Sequence, residues 1–202
     1  NPVFAAPPPP HYIQFSPSAT KGALYYPDPA LFPNPGVAII IMHRNSNYLS
    51  HLGTREFPAR GFVALGMNPR CDNNEALCRP WENNALDVRS GVNFLRKLPG
   101  IQKIILFGHS GGGPTMSFYQ AVAENGVSFC QNPSKLVKCA NTLAGLPPAD
   151  GIVLMDAHPG NGDNALRSLN PAVTNNSAVL NQNATAQINP ALDAGNPKNG
   201  FN

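Results

Sequence analysis

Residues 103–115 read Lys-Ile-Ile-Leu-Phe-Gly-His-Ser-Gly-Gly-Gly-Pro-Thr, and no other stretch constrains the chain so tightly. Ile104, Ile105, Leu106 and Phe107 form a short apolar run of the kind that makes a buried strand. Gly108-His109-Ser110-Gly111-Gly112 follows at once, and residues 114–124 carry a helical pattern. A strand, a tight glycine turn and a helix form the context in which G-x-S-x-G reads as a nucleophile elbow. A hydroxyl that attacks a carbonyl must project clear of its own backbone, so its turn is sharp and strained. Glycines two before and two after it let strand and helix approach closely. The Gly111 amide then lies at a helix N-terminus, where it can stabilise a developing oxyanion.

The rest of the chain supplies a sheet for this turn. Residues 12–15 and 22–26 read as a strand hairpin after a proline-rich arm, residues 1–10. Residues 37–42, Val-Ala-Ile-Ile-Ile-Met, are apolar throughout, as in a strand buried on both faces. Strands are also expected at 61–67 and 151–155. Helices are expected at 49–60 and at 81–98, where Trp81, Ala85, Val88, Val92 and Leu95 recur at three- and four-residue steps. One more helical turn fits 132–140. Alternating strands and helices predict a mostly parallel sheet with helices on both faces. Residues 1–160 are read as this core. Residues 161–202 are rich in Asn, Ala, Pro and Gly and show no buried-type strand, so they read as a cap or an excursion ending at a processing site.

Gly108 to Gly112, set in this order of elements, resembles the α/β-hydrolase superfamily of serine esterases, lipases and their relatives. The resemblance covers about the first two thirds of that core. It implies that Ser110 is a nucleophile, activated by a histidine that a carboxylate orients. It implies an oxyanion hole formed by the Gly111 amide and by an amide of the loop after the early central strand, here assigned to Arg44. The superfamily often has His-Gly in that loop. This chain has His43-Arg44, and His43 is read as an oxyanion-loop residue in contact with substrate. Asp156 leaves the 151–155 strand at the catalytic edge and has two readings, triad acid or loop cap. His158 is the one histidine after Ser110 and also has two, base or pocket lining. His109 is expected to turn away from Ser110 into the packing. Arg70, Arg79 and Trp81 flank a loop near the same edge. They read as solvent-facing arginines and a core tryptophan rather than as substrate contacts.

The resemblance places the catalytic histidine after a last strand that this chain lacks. A cleaved precursor, a fragment, or a binding protein without catalysis would each account for this. The first is favoured, because the polar segment near Asn202 tolerates cleavage and a strand at 151–155 would otherwise leave an apolar edge. The expectation is therefore a sheet incomplete in this chain and completed by a second polypeptide, in a heterodimer that carries the last strands and the histidine. The expected activity is hydrolysis of a carboxylic ester or related acyl bond. Amidase, thioesterase and lactonase activities, or binding alone, are the alternatives.

Composition narrows the setting. Fourteen Lys and Arg against eleven Asp and Glu give a net charge of +3 with no basic cluster, which offers nothing to a nucleic acid. No run approaches the roughly 18 apolar residues of a membrane span. No cofactor motif or metal-ligand cluster is visible. The chain opens at Asn1 without a methionine, which suggests an upstream segment removed or left out. Four cysteines fall as two close pairs, Cys71 with Cys78 and Cys130 with Cys139. Their spacings do not match zinc knuckles, and two local disulfides in a secreted or periplasmic protein are expected. Asn175-Asn176-Ser177 and Asn183-Ala184-Thr185 are glycosylation sequons, meaningful in a eukaryotic secretory host.

Overall fold

A strand that is apolar at every position has no face fit for water, so the 37–42 run needs cover on both sides. The computed structural model gives it that cover. It describes residues 8–16, 19–71, 74, 77–135, 137–160, 173–175 and 187–188. Along the chain these form β1 (His11–Gln14), β2 (Lys21–Tyr25), β3 (Val37–Met42), α1 (Leu52–Glu56), β4 (Val63–Asn68), α2 (Asn83–Leu95), β5 (Lys103–His109), α3 (Gly112–Asn125), α4 (Ser128–Gln131) and β6 (Gly151–Met155). β7 (Val173–Asn175) and β8 (Gln187–Ile188) pair with each other in a small antiparallel sheet of their own. The chain divides into two compact units, Asn1–His158 and Pro159–Asn202.

The main sheet has the order β1-β2-β4-β3-β5-β6. The hairpin β1-β2 is antiparallel, and so is β2 to β4, while β4-β3, β3-β5 and β5-β6 are parallel. Alternate residues of the central strands supply two cores. Ala38, Ile40, Met42, Val63, Leu65, Met67, Ile104 and Leu106 pack with Ala85, Val88, Val92 and Leu95 of α2 and Met116, Tyr119 and Val122 of α3. Ile39, Ile41 and Phe107 point the other way and pack with Tyr48, Phe57 and Phe62. α1 lies on this second side, so close that a Cβ on Gly53 would meet Ile41 Cδ1 at 2.9 Å. Each fully buried Leu, Ile or Val contributes about 1.5–3 kcal/mol, which is why period-two alternation is absent from β3 and β4.

From β3 the chain winds to β4 on one side, then crosses over β3 to β5 on the other. The carboxyl ends of β3 and β5 part at this reversal, the position where open α/β sheets bind ligands. His43 follows β3 there and Ser110 follows β5.

Several expectations need correction. The 49–60 helix is shorter: His51 caps it, its Nδ1 accepting from Gly53 N–H at 3.0 Å, and a separate 3-10 turn covers Pro58–Arg60. The helical turn at 132–140 is displaced to Ser128–Gln131, and Asn132 is extended at ψ 139° where Pro133 follows it. Trp81 precedes the first turn of α2, so it leaves the apolar stripe and is 37% exposed rather than in the core. Apart from β7 and β8, the expected cap at 161–202 and its processing site lie outside the described residues. So do the first seven residues of the arm and the Asn183 sequon, while only Asn175 of the other sequon is described.

Both cysteine pairs are disulfides. Cα atoms are 4.9 Å apart for Cys71–Cys78 and 5.5 Å for Cys130–Cys139, and no cysteine is free. No described helix is long and apolar enough to cross a membrane.

Candidate active site

Ser110 joins β5 to α3 with φ at +53°. A β-carbon makes this left-handed conformation costly, on the order of 1–3 kcal/mol, so surrounding bonds must hold it. They do: the Ser110 N–H donates to the Met155 carbonyl at 3.2 Å, and the Ser110 carbonyl accepts from Gly113 N–H at 3.0 Å. The glycines after it are there for close approach. A Cβ on Gly111 would lie 2.6 Å from His43 Nε2, and one on Gly112 would lie 2.5 Å from the Met42 carbonyl oxygen. One on Gly113 would overlap the Ala157 methyl. The turn is thus wedged between the end of β3 and the residues after β6.

His43 and Arg44 are brought onto this turn. His43 Nδ1 accepts from the backbone N–H groups of Asn45 at 3.3 Å and Ser46 at 3.2 Å. Burial, then the neighbouring Arg44 charge, lowers the His43 pKa to about 4. Arg44 Nε also borders Gly111, and its guanidinium carbon lies 5.0 Å over the Trp81 ring. The Arg44 carbonyl is fixed from behind, accepting from Asn84 Nδ2 at 3.1 Å with Cys78 Sγ 3.5 Å away.

Ala157 carries its neighbours toward the same turn. Asp156 is exposed and takes φ +47° directly after β6, and His158 is half-buried. His109 turns away from the glycines, as its position before the serine predicts. Its Nδ1 lies 2.9 Å from the Tyr48 hydroxyl and 3.2 Å from His51 Nε2. Since His51 Nδ1 already accepts from Gly53, the neutral His51 ring carries its proton on Nε2 and donates it to His109. Burial, then His109, keeps the His51 pKa low, and burial raises that of Tyr48.

Arg70 is not solvent-facing in the sense expected. Its guanidinium Nε donates to Asp87 Oδ1 and its backbone N–H to Asp87 Oδ2, at 2.9 Å each, and Asp87 is fully buried. This pair fixes the start of the 71–78 disulfide loop. Asn84, Asp87 and Tyr48 carry no signal in the sequence analysis, and His51 comes too early in the chain order to be read as the base. The first two could have been found as polar residues adjoining the apolar stripe of α2. No group of three or more metal-ligating side chains occurs among the described residues.

No family model matches the sequence, and no curated protein matches it. Solved structures align over parts of their length. Est1E from Butyrivibrio proteoclasticus is 18% identical over 56% of this chain and 46% of its own, with a TM-score of 0.43. An inhibited esterase B from Lactobacillus rhamnosis is 18% identical over 77% and 51%, with a TM-score of 0.48. Brefeldin A esterase, a bacterial homologue of human hormone sensitive lipase, is 14% identical over 61% and 37%, with a TM-score of 0.48. The chain therefore spans between 37% and 51% of these structures' own length. The strand order itself describes the fold: a mixed, mostly parallel sheet flanked by helices.

Proposed function

We propose that the protein is a serine hydrolase that cleaves a carboxylic ester or related acyl bond through an acyl-enzyme. The left-handed backbone of Ser110, at the sheet's reversal point, carries this reading, because strain of this kind is retained where a nucleophile must be presented. Ser110 attacks the acyl carbonyl, the amides of Gly111 and Arg44 hold the oxyanion, a histidine takes the hydroxyl proton, and water releases the acyl group. The two disulfides support a secreted or periplasmic site of action.

The histidine comes, in this proposal, from a companion polypeptide that adds strands beside β6. Support lies in β6 itself, which among the described residues pairs with β5 alone while Ile152, Val153, Leu154 and Met155 are 38–53% exposed. A second reading makes His158 the base and Asp156 the acid. The packing of Ala157, which lies between them in the chain, on Gly113 favours it. Amidase, thioesterase or lactonase chemistry would use the same groups, and a binding protein would use none of them.

A fluorophosphonate probe followed by intact mass and peptide mapping tests all of this. Ser110 should be modified, Ser110→Ala should not, and a companion chain should co-purify. Full esterase activity from a single species of 21.5 kDa would remove the companion and establish His158 as the base. An unlabelled Ser110 in active protein would end the serine-hydrolase reading.

A further inference from the structure

Resting on the reading of Ser110 as the nucleophile, we infer that His43 is a third oxyanion donor, giving its Nε2–H to the substrate's carbonyl oxygen as that oxygen becomes negative. The ring's protonation follows from its partners. A backbone N–H only donates, and two of them, from Asn45 and Ser46, converge on Nδ1. Nδ1 therefore presents a lone pair, and the single proton of the neutral imidazole resides on Nε2. The ring's position follows from Gly111. Nε2 lies 2.6 Å from where a Gly111 Cβ would stand, so it sits against the residue whose amide is the primary oxyanion donor.

The ring is held in this attitude. Tyr48, 92% buried, packs on it with centroids 5.2 Å apart, and Tyr48 N–H donates to the buried Asn68 at 2.8 Å. Asn84 anchors the following peptide, its Nδ2 donating to the Arg44 carbonyl at 3.1 Å. Burial and the Arg44 charge keep the imidazole neutral, with a pKa near 4, so it serves as a fixed dipole that needs no proton uptake. The same facts remove His43 as a base: Nδ1 is engaged, Nε2 already carries its proton, and the ring is too weakly basic. No bond to His43 forms or breaks; it donates one hydrogen bond that strengthens as the tetrahedral intermediate forms.

The test compares His43→Phe, which keeps a ring without a donor, with His43→Gln, whose amide nitrogen reaches the position of Nε2. The readouts are the second-order rate of fluorophosphonate labelling at Ser110 and the kcat and KM for a p-nitrophenyl ester. His43→Phe should slow labelling and lower kcat by about 10²–10³-fold with KM little changed, and His43→Gln should recover a large part. Labelling of wild type and His43→Phe at equal rates would overturn the inference and leave the role of Ser110 intact. A wild type that fails to label would instead remove the role of Ser110 and this inference with it. Nitrogen-15 shifts of the His43 ring in the unmodified protein provide a check that no substitution can disturb. A neutral ring protonated at Nε2 at pH 7 is expected, and a proton on Nδ1 or a charged ring overturns the proposal.

Discussion

Ser110 and Asp156 make an instructive pair. Both leave a parallel strand of the same sheet, on neighbouring strands, and both turn through the left-handed region, at φ +53° and +47°. They differ in what accounts for the turn. Aspartate visits this region with little penalty, because its short carboxylate can bond locally, and Asp156 is exposed. Serine has no such ease. Ser110 is held by hydrogen bonds on both sides and by three glycines that let Met42, His43 and Ala157 press against the following turn. Positive φ at a non-glycine residue is therefore held strain at Ser110 and easily tolerated turn geometry at Asp156. What ties Asp156 to the site is its neighbour Ala157, seated on Gly113.

The largest effect that could break this contrast is on turnover. Ser110→Ala should lower ester hydrolysis by about 10⁴-fold or more, with unfolding midpoints at least as high as in the unmodified chain. Residual activity near the original level would put the nucleophile elsewhere and reduce Ser110 to a strained loop residue. Asp156→Asn comes next and decides between its two readings. Asparagine tolerates the same backbone, so stability should stay within about 0.5 kcal/mol. As the orienting acid of a triad, Asp156 would show a fall in kcat of up to about 10⁴-fold. As a loop cap it would show almost none. A stopped assay with one chromogenic ester separates the two.

Legibility from sequence followed the same divide between local and assembled features. β3 and β6 were placed at their observed bounds because each is apolar throughout, and the strand–turn–helix at Ser110 is encoded in one contiguous stretch. Trp81 misled because periodicity does not say where a helix starts: its spacing fits the α2 stripe, but the helix begins at Asn83. Arg70 misled because its partner, Asp87, lies 17 residues away and is fully buried. The packing around the loop after β3 was beyond reach for a similar reason. Asn84, Cys78 and Tyr48 meet around His43 and Arg44 only after the sheet has formed, and no local pattern joins them.

Gly113 offers a smaller effect that sharpens the link between the two turns. An added methyl at 113, in the first turn of α3, would overlap the methyl of Ala157, two residues after β6. Gly113→Ala should destabilise by about 1–3 kcal/mol, offset in part by the better helix propensity of alanine. Ala157→Gly in the same chain should return most of the loss. Urea unfolding of the two single variants and the double variant measures the coupling, which additive behaviour would reduce to nothing.

The smallest expected effect reads the strain itself. Ser110→Gly removes a β-carbon from a left-handed residue, a relief of about 1–3 kcal/mol. It also frees the unfolded chain, which returns up to about 1 kcal/mol in the opposite sense. The net should be a stabilisation of roughly 1 kcal/mol, or about 2–4 °C in Tm for a chain of this size. Asp156→Gly has less strain to relieve and the same unfolded-state term, so its Tm should move by a degree or less. The difference between the two shifts, measured under one buffer and scan rate, isolates the strain held at Ser110. Equal shifts would mean that the two turns are alike, and the backbone of Ser110 would then say nothing about catalysis.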